Sequence, residues 1–146
     1  MKMTSLVLSA LIAIPAFAGA ALAEETFDPN KPVVVQRESL SYFALNDAIS
    51  MADAYGALAE GMHGTFGRFP AHFDAGFHTH AGAYHGVVIK GVMTNPFGSE
   101  TNPPRMEPGS YWYVPAGMVH ATACVSDEPC EFFFYADSGF DFHPTE

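Results

Sequence analysis

Four histidines in two short blocks carry most of the chemistry available to this chain. The first block reads Phe77-His78-Thr79-His80-Ala81-Gly82-Ala83-Tyr84-His85-Gly86 and runs on through Val87-Val88-Ile89-Lys90-Gly91. The second reads Gly109-Ser110-Tyr111-Trp112-Tyr113-Val114-Pro115-Ala116-Gly117-Met118-Val119-His120. A neutral imidazole is a good ligand for Zn, Cu, Fe and Ni, and binds Zn at about 2.0–2.1 Å. The expectation is one divalent transition metal held by His78, His80, His85 and His120. Zn is the first choice, and Cu, Fe, Ni and Mn also suit the donors. The other histidines, His63, His72 and His143, are read as structural or exposed.

The elements that must position these side chains are strands. Side chains alternate along a strand, so His78 and His80 point the same way. Ala81-Gly82-Ala83 reads as a small-residue turn, and the β-branched run Val87-Val88-Ile89 as the return strand. His85 then starts that strand, within reach of the first pair. His120 follows Pro115-Ala116-Gly117, a turn that ends the aromatic strand Tyr111 to Val114. On that strand Tyr111 and Tyr113 share one face and Trp112 takes the other. Val33 to Arg37, Gly64 to Phe69 and Glu131 to Tyr135 read as further strands. Phe132-Phe133-Phe134-Tyr135 is apolar on both faces, as in a strand inside a sandwich or one covered by a partner such as a second copy in a homodimer. Leu45 to Glu60 favours helix by its Ala, Met and Leu content. Asn95 to Pro108, rich in proline, is a loop between the two blocks.

The two blocks resemble the motifs of the cupin superfamily. Its first motif is H-x-H, three or four residues, Glu, then Gly after about six more; His78, His80 and Gly91 fit. Its second is G-x5-P-x-G-x2-H-x3-N; Gly109, Pro115, Gly117 and His120 fit. Two positions depart: His85 stands for the Glu, and Cys124 for the final Asn. The likeness covers residues 60 to 136, and the wording around the blocks is similar to that of small exported bacterial cupins of uncharacterised function. It implies an all-β, single-domain jelly-roll barrel, which closes most of its sheet edges, and a strand rather than a helix around Ile49 to Tyr55.

Residues 1–23 are read as a secretory signal peptide. Lys2 precedes an apolar run from Leu6 to Ala18, and Ala21-Leu22-Ala23 closes it before Glu24-Glu25. The run is short for a membrane span; the competing reading is a retained anchor. The working domain is then residues 24–146, periplasmic or secreted, and not stably inserted in a membrane. Cleavage removes Lys2 and no acid, so the formal charge goes from −10 to −11. With only Lys31, Arg37, Arg68, Lys90 and Arg105 left, no basic patch exists for nucleic acid. Cys124 and Cys130 flank a turn-like insert, and a disulfide across that hairpin suits an oxidising compartment. The alternative, Cys124 as a thiolate ligand, fails on distance. It lies four residues past His120, about 13 Å along a regular strand.

Two function classes follow. One is a metal-dependent enzyme on a small organic molecule, of oxygenase, isomerase or lyase type, as the cupin resemblance implies. Neutral imidazoles leave the metal's charge uncompensated, which favours an anionic or enolate oxygen. Tyr84, Tyr111 and Tyr113 are the candidate acids, since a buried tyrosine needs a partner for its hydroxyl. The other class is a periplasmic protein that binds a metal or a small ligand without catalysis. A closed tetrahedral site would mark it, whereas catalysis needs an open position.

Overall fold

A computed structural model describes residues 27–145. The signal-peptide reading of residues 1–23 lies outside these described residues. Ten strands follow one 3₁₀ turn at Arg37–Ser39. They are β1 (Phe43–Ala44), β2 (Ser50–Tyr55), β3 (His63–Phe69), β4 (His78–Thr79), β5 (Tyr84–Lys90), β6 (Met93–Thr94), β7 (Tyr111–Val114), β8 (Ala123–Cys124), β9 (Cys130–Ala136) and β10 (His143–Pro144). One antiparallel sheet has the order β1-β2-β3-β9-β5-β7. Facing it are two short pairs, β10-β4 and β6-β8. Bridges between His78 and His120, Phe97 and His120, and Asp74 and Ala123 extend these pairs. The architecture is the jelly-roll type, a core enclosed between two layers.

Strand β9 is the centre of the large sheet, paired with β3 on one side and β5 on the other. Its inward residues Cys130, Phe132, Phe134 and Ala136 are all buried. On β5 the inward positions are Tyr84, Gly86 and Val88, while His85 and Val87 are exposed. Gly86 pairs with Trp112 on β7, and any Cβ at Gly86 would overlap the Trp112 indole. The missing side chain is therefore what lets Trp112 turn inward and fill the core. Trp112 being inside puts Tyr111 and Tyr113 outside, where both are exposed.

One local expectation needs correction. Val33 to Gln36 form no strand, and Val33, Val34 and Val35 are exposed. Their β-branched shape favours a pleated, half-buried surface, but no neighbouring strand supplies one. Of the two readings of Leu45 to Glu60, helix by propensity and strand by the cupin register, the strand is found: β2 occupies its middle, because residues 50–55 pair with β3. Tertiary pairing here outweighs helix propensity.

Cys124 and Cys130 form a disulfide that ties β8 to β9. Gly91 sits against it with φ +76°, a conformation that favours glycine, and a Cβ there would lie 2.8 Å from Cys130 Sγ. Near the start of β9, Glu131 is buried and paired with Arg37 at 2.6 Å, which pins the segment before β1 onto β9.

Candidate metal centre

His78 lies on β4, His80 one residue beyond it, and His120 on the chain directly opposite. His78 and His120 exchange both backbone hydrogen bonds, at 2.9 and 3.0 Å, so their side chains leave the layer on the same face. Alternation puts His80 on that face too. All three are buried, and their candidate ligand atoms lie within 4.8 Å of one another.

Each ring is held by its other nitrogen. Nδ1 of His78 meets the Gly76 carbonyl at 2.7 Å, Nδ1 of His80 the Asp141 carbonyl at 2.5 Å, and Nδ1 of His120 the Met118 carbonyl at 3.0 Å. A carbonyl can only accept, so each Nδ1 carries the proton and each Nε2 keeps its lone pair. This is the arrangement that orients metal-binding histidines. Nε2 of His80 is buried with no hydrogen-bond partner. A buried acceptor left empty is costly unless something binds it, and a metal ion fits that place. Burial lowers the pKa of all three rings, to about 4 for His80 and for His120. They are neutral near pH 7, as ligation requires.

His85 is not in this cluster. It is exposed on the outer face, with Nδ1 hydrogen-bonded to the Tyr111 hydroxyl at 2.5 Å and its ring 4.7 Å from that of Tyr113. The reason is parity: β5 turns Tyr84 inward, so the next residue must face out. Tyr111 and Tyr113 share that outer face and are likewise apart from the histidines. Tyr84 is the candidate acid that the fold brings to the site. It is buried, and its hydroxyl donates to His120 Nε2 at 3.0 Å. Thr122 Oγ1 lies 3.5 Å from the same hydroxyl and itself donates to Asn95 Oδ1. Burial raises the Tyr84 pKa, so the hydroxyl stays protonated.

Sequence reasoning missed three residues, Phe140, Asp141 and Phe142. The Phe142 ring stacks on His78 at 4.3 Å and Phe140 lies over His80 at 4.1 Å. Asp141 gives its carbonyl to His80 and its carboxylate to the Ala81 N–H. Strand β10 continues this segment against β4, so His143 is a paired strand residue. The signal was the Phe-Asp-Phe alternation, masked by its place near the chain's end, where order is usually low.

A cavity of about 60 Å³ opens beside the histidines, lined by His78, His80, Tyr84 and a surround of aliphatic and aromatic side chains. Among the described residues no Lys, Arg, Asp or Glu lines it. The metal face of the cluster therefore has room for a small group.

A domain family described as Domain of unknown function (DUF4437) matches residues 59–146, more than half of the chain. The chain belongs to this family. Curated protein sequences give no match. Solved structures give the fold. The polyketide cyclase RemF from Streptomyces resistomycificus superposes with a TM-score of 0.66 at 14% identity, covering 80% of this chain and 87% of that one. KdgF from Halomonas sp. gives 0.57 at 14% identity, covering 70% and 92%. An RmlC-like cupin from Shewanella frigidimarina NCIMB 400 gives 0.57 at 10% identity, covering 70% and 88%. The DUF4437 protein thus has the cupin fold that its motifs resemble.

Proposed function

We propose that this protein is a metal-dependent enzyme that acts by proton transfer on a small oxygen-bearing organic molecule, in an isomerase- or lyase-type reaction. The observation that carries the reading is the convergence of three oriented, neutral imidazoles on one buried point beside a cavity. His78, His80 and His120 would hold one divalent transition metal, Zn first. Such a metal, when bound, polarises a carbonyl or enolate oxygen as a Lewis acid. Tyr84 holds the proton: its hydroxyl is the acidic group lining the cavity, and it lies within hydrogen-bond distance of a ligating nitrogen. The surrounding carbon walls exclude water and strengthen the electrostatics inside. Structural likeness to a polyketide cyclase supports chemistry on small organic molecules.

We also infer export to the periplasm or beyond. The leader-like residues 1–23 and the disulfide, which suits an oxidising compartment, support it. The metal would then be acquired after translocation.

The test is elemental analysis of untagged protein, followed by cobalt loading. One metal per chain and a visible spectrum that shifts on adding azide are expected, because an open position accepts the anion. A cobalt spectrum indifferent to every small anion would mark a closed site and favour the non-catalytic binding protein. Protein that takes up no metal under any loading condition would overturn both.

A further inference from the structure

Two spaces meet at the C-terminal segment. The cavity beside the histidines is small, about 60 Å³. Next to it lies a larger groove of about 390 Å³. Leu45, Ile49, Ala75, Phe140 and Phe142 line both. The wall between them is therefore built from the turn before β2 on one side and the Phe140–Phe142 segment on the other.

We propose that the two spaces are one ligand site, with Phe140 and Phe142 as its specificity-determining wall. Its ligand is a molecule with a single anionic oxygen head on the metal and an uncharged, apolar body lying in the groove. This rests on the metal reading above.

Size supports the division. The inner cavity holds a group of a few heavy atoms, whereas the groove falls in the range that encloses a small organic ligand. Charge supports the chemistry. Three neutral imidazoles leave a divalent metal's full charge to be met by an anionic donor. Among the described residues no other cation lines either space, and the one charged side chain of the groove is Asp141. A second anionic group on the ligand would be desolvated without a partner and would face that carboxylate. The remaining lining of the groove, Leu58 and Phe73 among it, is carbon-rich, so affinity comes from apolar area removed from water.

The segment is also tied to the metal ligands. Phe142 stacks on His78, Phe140 lies over His80, and the Asp141 carbonyl accepts a hydrogen bond from His80 Nδ1. Further hydrogen bonds anchor its two ends, Phe140 N–H to the Leu58 carbonyl at 2.7 Å and Thr145 N–H to the Phe77 carbonyl at 2.9 Å. A body lodged in the groove thus presses on the same residues that orient the ligands.

Two hydroxamates with the same oxygen head test this in cobalt-loaded protein, read by visible absorption. Acetohydroxamate fills the inner cavity alone, and benzohydroxamate adds a ring for the groove. After correction for their affinities for free cobalt, benzohydroxamate should bind about tenfold tighter or more. Phe142→Ala should narrow that preference about fivefold in protein that still holds cobalt. Leu45→Ala, on the opposite wall and outside the Phe140–Phe142 segment, should narrow it as well and covers the case in which Phe142→Ala loses cobalt. Equal binding of the two hydroxamates by wild-type protein that holds cobalt would overturn this proposal alone. So would a preference that both substitutions leave intact. Absence of cobalt binding would overturn the metal reading and this one with it.

Discussion

Tyr84 and a bound metal compete for the same lone pair. In the metal-free protein the Tyr84 hydroxyl donates to His120 Nε2, the atom that would ligate. Tyr84→Phe should therefore act in opposite directions on folding and on metal binding. Removing a buried donor leaves His120 Nε2 unpartnered and should cost the metal-free protein about 1–3 kcal/mol, measured by chemical denaturation. The same change removes a competitor, so zinc affinity by chelator competition should rise rather than fall; a weaker affinity would show that Tyr84 helps hold the metal. His85→Ala is the contrasting variant. His85 is on the outer face with Tyr111 and Tyr113, so metal affinity and the cobalt spectrum should be unchanged. The buried rings also set a pH dependence. His80 and His120 titrate at about 4 when folded, against an ordinary 6.5. Between those values the unfolded chain binds more protons than the folded one, so stability rises with pH there. Metal-free protein should be equally stable above about pH 6.5 and lose stability steadily down to about pH 4. Denaturant melts across that window check it; a gain of stability on going from pH 6.5 down to pH 4 would contradict the sign.

At the scale of the element, strand parity decides which side chains reach the site. The pair His78 and His80 was legible because H-x-H fixes a shared face locally, whatever the strand packs against. His120 was legible because a turn at Pro115-Ala116-Gly117 marks the break before it. His85 was not, because a strand's inner face depends on its neighbours, and Val87-Val88-Ile89 is apolar at every position. What settles the face is the fit of Trp112 over Gly86, a contact between strands. With Tyr84 inward, that tyrosine stands after His80 with three residues between, the shorter of the two spacings at which the cupin motif places its Glu. The role of Phe140 to Phe142 was hidden for a related reason. Strand β10 finds its partner β4 far back in the sequence, and no local pattern reports such a pairing. The disulfide-tied connection from β8 to β9 gives the element-scale prediction. Its disulfide closes a short loop, six residues apart in sequence, so reduction should cost about 2–3 kcal/mol by the chain-entropy estimate. Denaturation with and without reductant measures it. The three histidines lie outside that loop, so zinc affinity of the reduced protein should be retained while it stays folded.

For the whole molecule, two layers enclose one core, and the site sits where the smaller layer meets the large sheet's inner aromatic face. A metal that binds only the folded form stabilises it by mass action, about 2.7 kcal/mol at a free concentration one hundred times Kd. Zinc should therefore raise the midpoint of thermal unfolding in proportion to the logarithm of its concentration, and chelator should reverse the rise. The position of Phe140 to Thr145 along the chain has a separate consequence, concerning time. A ribosome releases residues in order, so His78, His80 and His120 all emerge before the segment that covers them. Until Asp141 arrives, His80 lacks the carbonyl that orients it, and until Phe142 arrives one face of His78 is bare. A nascent chain halted at Ser138 would carry every ligand and still lack a finished pocket. Assembly of the centre is thus vectorial: the Phe140–Phe142 cover follows all three ligands, so the finished pocket exists only once that segment has been made.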